Sequence, residues 1–294
     1  MRPNNIFKGL GVALVTPFQT DGRVDFDALE QLVINQINGK TDFLCVLGTT
    51  AETPCLSIEE KREILKFVVK LVDKRLPILL GCGSNNTCEV IRFLHEEDLS
   101  GVDGVLIVAP YYNKPTQEGL YQHFSAVAKA TDLPVVLYNV PGRTGVNLQA
   151  STTLRIVADN ENVVAIKEAS GIITQIEDIV ANAPAGFEVI SGDDAITLEL
   201  LTIGGVGVIS VVGNAYPTEF GQMVHNALAG DFTAALKAHR QFNGIYKLMC
   251  VDGNPAGIKA LLSLQGKIQN ILRLPLVPAC QETIDKLKFL MNNL

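Results

Sequence analysis

Lys167 stands in the run VVAIKEAS (163–170), directly after Val163, Val164, Ala165 and Ile166. The chain has fifteen lysines, and the other fourteen fall in segments that read as helix, loop or terminus. An amine in such apolar company is poorly hydrated. Loss of water disfavours the charged form of an amine and leaves the neutral nucleophile available. A neutral amine attacks carbonyl carbon, the first step of Schiff-base catalysis. The competing reading is a structural lysine paired with a carboxylate such as Glu168, because perturbed ionisable groups are often merely structural.

Other groups with chemical capacity follow the apolar runs. Tyr138 lies near the end of LPVVLYNV (133–140), where a phenol is suited to move protons during imine formation and loss. A core tyrosine with a satisfied hydroxyl is the commoner case. Tyr111 and Tyr112 sit in a proline-bounded loop. If that loop is extended, the two rings point opposite ways and at most one faces a site. Thr49 and Thr50 offer hydroxyls and backbone N–H groups to a carboxylate, or simply serve a turn. Arg143, in PGRTG, carries a planar fork that clamps a carboxylate through two hydrogen bonds; alone, it reads equally as a solvated loop charge. Asp193 and Asp194 read as caps of a short following helix rather than as catalytic groups.

These residues need elements to position them. Eight short apolar runs recur, at 9–18, 43–48, 77–83, 104–110, 133–140, 163–170, 187–194 and 205–214. Each is rich in Val, Ile and Leu rather than alternating, as parallel strands buried on both faces are. Helix signals lie between them. Ser57 opens one helix with Glu60 three residues on as a capping box, and Thr116 opens another. Strand and helix alternating eight times predict an α/β fold, a (β/α)8 TIM barrel. A doubly wound open sheet is the runner-up, weakened by the absence of a GxGxxG after the first strand. In a barrel the active site forms at the C-terminal ends of the strands, where the residues above are found. After residue 214 the strand signal stops, and 217–230, 231–250, 254–265 and 281–293 read as helices. The expected division is a barrel catalytic domain over 1–224 and a helical region over 225–294 packed on it.

Composition narrows the class further. With 47% hydrophobic and 19% charged residues the 294-residue chain can build a large core. A net charge of −7 without a Lys/Arg cluster argues against nucleic acid, which demands a positive field. No apolar run reaches the roughly 18 residues of a membrane span. The stretch Met1 to Phe18, flanked by Arg2 and Lys8, reads as a first strand rather than a targeting peptide. The six cysteines contain no CxxC and read as reduced thiols of a cytoplasmic protein. The four histidines are far apart and support neither a metal site nor a His-based triad.

The motifs GTTAE (48–52), PYYNKPTQEGLYQHF (110–124), YNVPGRTG (138–145), IKEASG (166–171) and SGDD (191–194) stand in order, each at an expected strand end. In these the chain closely resembles the dihydrodipicolinate synthase family of pyruvate-dependent Schiff-base lyases, over nearly its whole length. The resemblance implies a (β/α)8 barrel with a small helical C-terminal region, assembled as a homotetramer of two tight dimers. It implies condensation of pyruvate with L-aspartate 4-semialdehyde, the step that leads into diaminopimelate and lysine, with no metal and no organic cofactor. By the same resemblance Lys167 forms the imine, Tyr138 donates and accepts protons, and Thr49 and Tyr112 complete a proton relay. Tyr112 would reach in from a partner subunit. Thr50 and the backbone of Ile209 would hold the pyruvate carboxylate, Arg143 the carboxylate of the aldehyde, and Gly192 would line the site.

Two departures from the family pattern carry consequences. Ala51 replaces the usual glycine of GTTGE, and alanine is strained there only if the position needs a positive φ. Asn85, Glu89 and Tyr111 match the site where lysine inhibits sensitive members, but Ile58 and Lys61 stand where those members often carry histidines. A cation at Lys61 opposes a cationic effector, so weak or absent lysine inhibition is expected. Two rivals remain. A sister lyase for sugar acids is disfavoured by Arg143, which suits a short substrate with a terminal carboxylate. A barrel that only binds pyruvate or a partner is disfavoured by the joint presence of Lys167, Tyr138 and Thr49.

Overall fold

The computed structural model describes residues 5–294. The reading of the N-terminal stretch leans in part on Arg2, which lies outside the described residues. Each expected run holds a strand: β1 (Gly9–Ala13), β2 (Phe43–Val46), β3 (Ile78–Gly81), β4 (Gly104–Val108), β5 (Val135–Asn139), β6 (Val163–Glu168), β7 (Glu188–Ser191) and β8 (Gly207–Ser210). All pair in parallel in sequence order, and β8 returns to β1 through Gly9↔Gly207 and Gly11↔Ile209. The barrel is closed, which removes the open doubly wound sheet from consideration.

Period-two alternation divides each strand between two environments. Inward residues such as Phe43, Cys45, Leu79, Val136 and Ile190 fill the barrel, and outward ones pack under the helices. Burying one such Val, Leu or Ile contributes about 1.5–3 kcal/mol. Size is constrained inside: a Cβ on Gly11 would lie 2.2 Å from the ring of Phe43.

The helices over the barrel are α1 (Phe26–Asn38), α2 (Ile58–Val72), α3 (Thr87–Glu96), α4 (Gln117–Ala128), the single turn α5 (Pro141–Thr144), α6 (Ala150–Asp159), α7 (Ile173–Asn182) and α8 (Thr197–Thr202). The expected capping box opens α2: Ser57 Oγ accepts from Glu60 N–H at 3.2 Å, and Glu60 Oε2 accepts from Ser57 N–H at 2.9 Å. Thr116 caps α4 by accepting from Gly119 N–H at 3.2 Å.

Beyond β8 run α9 (Pro217–Leu228), α10 (Phe232–Gln241), α11 (Asn243–Leu248), α12 (Ala256–Leu264) and α13 (Gln281–Met291). The helix expected over 231–250 is two helices, broken at Phe242. Asn243 and Gly244 are weak helix formers, and Leu290 of α13 packs where a Cβ at position 244 would stand, 2.9 Å away. The Phe242 ring is buried against Phe220, Tyr216 and Tyr246. The expected boundary at 224/225 falls inside α9, whose Phe220, Met223 and Val224 join one continuous core with Leu10 of β1 and Leu287 of α13.

Candidate active site

β6 carries Lys167 one residue from its C-terminal end, 6% exposed. Ladder register places it beside Tyr138 of β5 and Ile190 of β7. Its Nζ lies over the Tyr138 ring, 4.3 Å from the centroid, close enough for cation–π attraction when charged. No ion pair or hydrogen bond within the described residues engages Lys167. The structural alternative, a pair with Glu168, does not form. Glu168 points to the other face of the strand, where it accepts from Asn139 Nδ2 at 2.6 Å, Ser170 Oγ at 2.5 Å and Gln175 Nε2 at 3.2 Å. Burial raises the pKa of that carboxyl, and these donors pull against the rise. Cys45 is enclosed in the barrel interior, where burial pushes its thiol up to about 11 while the nearby Lys167 charge works the other way.

Room for the lysine comes from Gly192, just past β7. A Cβ there would lie 3.1 Å from Lys167 Cε and 2.7 Å from Ala169 Cβ, so any side chain there would press on Ala169 and crowd the lysine stem. Tyr138 is 6% exposed on the inner face, and its hydroxyl has no partner among the described residues. Ile209 occupies the inner face of β8. The turn after it is held by Asp194, whose Oδ2 accepts from Val211 N–H at 3.0 Å and Val212 N–H at 2.8 Å. Asp193 caps its short helix as expected, accepting from Ala195 N–H at 2.9 Å. Asp194 does not: as first residue of that turn it faces β8 rather than its own amides. Desolvation raises its carboxyl to about 6, against those two donors.

After β2 the chain makes a one-turn 3₁₀ helix, Thr49–Ala51. Thr49 is half-buried, and Thr50 Oγ1, fully enclosed, accepts from Asn254 Nδ2 at 3.0 Å. Ala51 has an ordinary negative φ, so alanine is unstrained at that position; the left-handed residue is Glu52, at φ 56°. Tyr112 is also left-handed, at φ 72°, so the loop is not extended, and its ring is 89% exposed. Lys114 of the same loop leans on Gly145, beside the α5 turn that exposes Arg143. Arg143 makes no ion pair among the described residues, and its charge opposes the upward push of burial on the Cys250 thiol.

Lys167, Tyr138, Gly192 and Ile209 thus meet in the barrel interior, with Thr49 and Thr50 at the end of β2 and Tyr112 and Arg143 on exposed loops after β4 and β5. Within one chain no hydrogen bond joins Thr49, Tyr112 and Tyr138. Of the residues expected at an effector site, Asn85 Nδ2 donates to the Tyr111 carbonyl at 3.2 Å. Glu89 is engaged by Arg92 on its own helix, and Ile58 and Lys61 lie on α2. Among the described residues no trio of His, Cys, Asp or Glu is placed to hold a metal ion, and no helix is long and apolar enough to cross a membrane.

Sequence reasoning missed the C-terminal contributions. Asn254 reaches Thr50, and Lys259 forms a buried pair with Glu52. A signal for Lys259 existed: AGIKALL surrounds a lysine with apolar residues just as VVAIKEAS does, but in a helical segment.

The same fold is met in known proteins. The sequence model of the dihydrodipicolinate synthetase family matches residues 6–294. The 4-hydroxy-tetrahydrodipicolinate synthase of Phocaeicola vulgatus is 58% identical over 98% of this chain and 97% of its own length. The solved dihydrodipicolinate synthase of Thermotoga maritima superposes with a TM-score of 0.96 at 42% identity, covering 98% of this chain and 99% of that one. A dihydrodipicolinate synthase variant characterised as monomeric superposes with a TM-score of 0.95, also at 42% identity, over 98% of this chain and 96% of that one. With a match that runs nearly end to end, this chain belongs to the dihydrodipicolinate synthetase family.

Proposed function

We propose that this chain is a cytoplasmic 4-hydroxy-tetrahydrodipicolinate synthase that condenses pyruvate with L-aspartate 4-semialdehyde. The observation that carries the reading is Lys167, enclosed at the barrel mouth without a carboxylate partner and beside the Tyr138 phenol. Nζ attacks the keto carbon of pyruvate, and water leaves as the imine forms. The imine draws electrons from the adjacent methyl group, which loses a proton to become an enamine carbon. That carbon attacks the aldehyde, whose oxygen takes up a proton. The amine of the second substrate then adds to the imine carbon and expels Nζ, which frees Lys167 and closes the ring. Tyr138, whose ring lies beside Nζ, can pass these protons.

Thr50 and the backbone at Ile209 hold the pyruvate carboxylate, and Arg143, free of ion pairs, receives the carboxylate of the aldehyde. Thr49 and Tyr112 extend the relay from Tyr138. Because Tyr112 projects outward, its hydroxyl serves the site of a second copy, in a tight dimer that pairs into a tetramer.

The deciding experiment is incubation with pyruvate, reduction with borohydride and peptide mapping. An adduct at Lys167 is expected, and an unmodified Lys167 refutes the mechanism. Turnover with L-aspartate 4-semialdehyde against N-acetylneuraminate then separates the synthase from a sugar-acid lyase. Weak lysine inhibition follows from Ile58 and Lys61, and half-inhibition at submillimolar lysine excludes it.

A further inference from the structure

Lys259 lies in α12 with no exposed surface, its Nζ 4.1 Å from the centroid of the Phe18 ring. Nζ donates to the carbonyl of Ile271 at 2.9 Å and forms an ion pair with Glu52 Oε1. The other carboxylate oxygen of Glu52 accepts the backbone N–H of Arg273 at 3.0 Å. The Arg273 guanidinium then grips the carbonyls of Gly22 and Cys55 and the carboxylate of Glu60. Glu52 is the residue that ends the Thr49–Ala51 turn, and it does so in the left-handed conformation. A side chain is held in that conformation only where its surroundings over-determine it. Asn254, five residues before Lys259, donates to Thr50 Oγ1. A buried ion pair seldom adds stability over an apolar pair of the same shape, and specifying one conformation is the better-attested use of such a pair.

We propose that Lys259 and Glu52 form a buried clamp by which the C-terminal helices fix the Thr49–Thr50 turn, making Lys259 a positioning residue for the condensation. The proposal rests on the synthase reading for its effect on rate, but not for its effect on the turn. Lys259 touches no reacting atom. It holds Glu52, Glu52 holds the turn, and the turn aims the two threonines. Small misplacements of such groups cost large factors in rate.

The test uses the full-length protein. Wild-type trapping with pyruvate and borohydride comes first, because a missing adduct at Lys167 refutes the synthase reading on its own. The double variant Lys259→Met with Glu52→Gln removes both charges while keeping volume. Expected are a folded barrel, a kcat roughly 10- to 100-fold lower, and faster hydrogen exchange at the Ala51, Glu52 and Cys55 amides with β6 unchanged. Lys259→Met alone, which strands the Glu52 charge, falls further. Wild-type kcat together with wild-type exchange in the folded double variant overturns the clamp. If the double variant does not fold, exchange in the wild-type protein decides. Protection of those three amides equal to that of β2 supports the clamp, and exchange at the rate of an exposed loop overturns it.

Discussion

Two lysines are enclosed among the described residues, and they keep opposite company. Lys167 lies one residue from the end of a barrel strand, with a phenol ring beside its amine and no carboxylate paired with it. Lys259 lies in a C-terminal helix, pressed on a phenylalanine ring and paired with Glu52. Local sequence treats them alike, since each interrupts an apolar run. What separates them is the face each amine meets. An amine without a counter-ion is available as a nucleophile, whereas one held by a buried carboxylate is committed to structure. Burial therefore marks both residues as special, and the partner decides the kind of role.

The sharpest way to break this contrast is to remove each lysine and measure different things. Lys167→Ala should lower kcat by roughly a thousandfold or more and abolish the reducible pyruvate adduct, as read by steady-state assay and mass spectrometry. An active variant would cancel the distinction. Tyr138→Phe should lower kcat on the order of 10²–10³ while still forming the adduct slowly; near-normal turnover would remove the phenol from proton transfer.

Stability should divide the pair in the opposite sense. Lys259→Met leaves Glu52 buried without its partner, a loss of about 3–5 kcal/mol measurable by denaturant unfolding. Lys167→Met strands no charge and should leave the unfolding midpoint unchanged or raise it. Equal destabilisation by the two substitutions would show that Lys167 has a hidden counter-ion.

The smallest effect is in pH. Burial pushes the Lys259 ammonium from 10.5 down to about 8, opposed by Glu52. Between those values the folded protein binds fewer protons than the unfolded chain, so the contribution of Lys259 to stability grows as pH rises. It is fully present above 10.5 and lost as pH falls through about 8. Wild-type melting temperature should therefore rise relative to Lys259→Met between those limits, and parallel curves would contradict the assignment.

The strand order was legible because parallel strands buried on both faces are written as uninterrupted apolar runs, and every such run from GLGVALVTPF to GVGVISVVGN holds a strand. The helix starts at Ser57 and Thr116 were legible because capping is local chemistry. The break at Phe242 was legible only in the weak helix formers Asn243 and Gly244, because the contact of Leu290 with Gly244 is made by a distant segment.

By itself the sequence determined the barrel, the candidate nucleophile and the order of the loops around it. Each of these follows from composition and spacing along the chain. Only the tertiary structure decided which face Glu168 takes, which residue of GTTAE is left-handed, what Asp194 holds and what Lys259 meets. Those outcomes depend on residues far apart in the chain brought within a few ångströms. Glu52 and Lys259, 207 residues apart in the chain, meet as a buried ion pair that neither segment could specify alone.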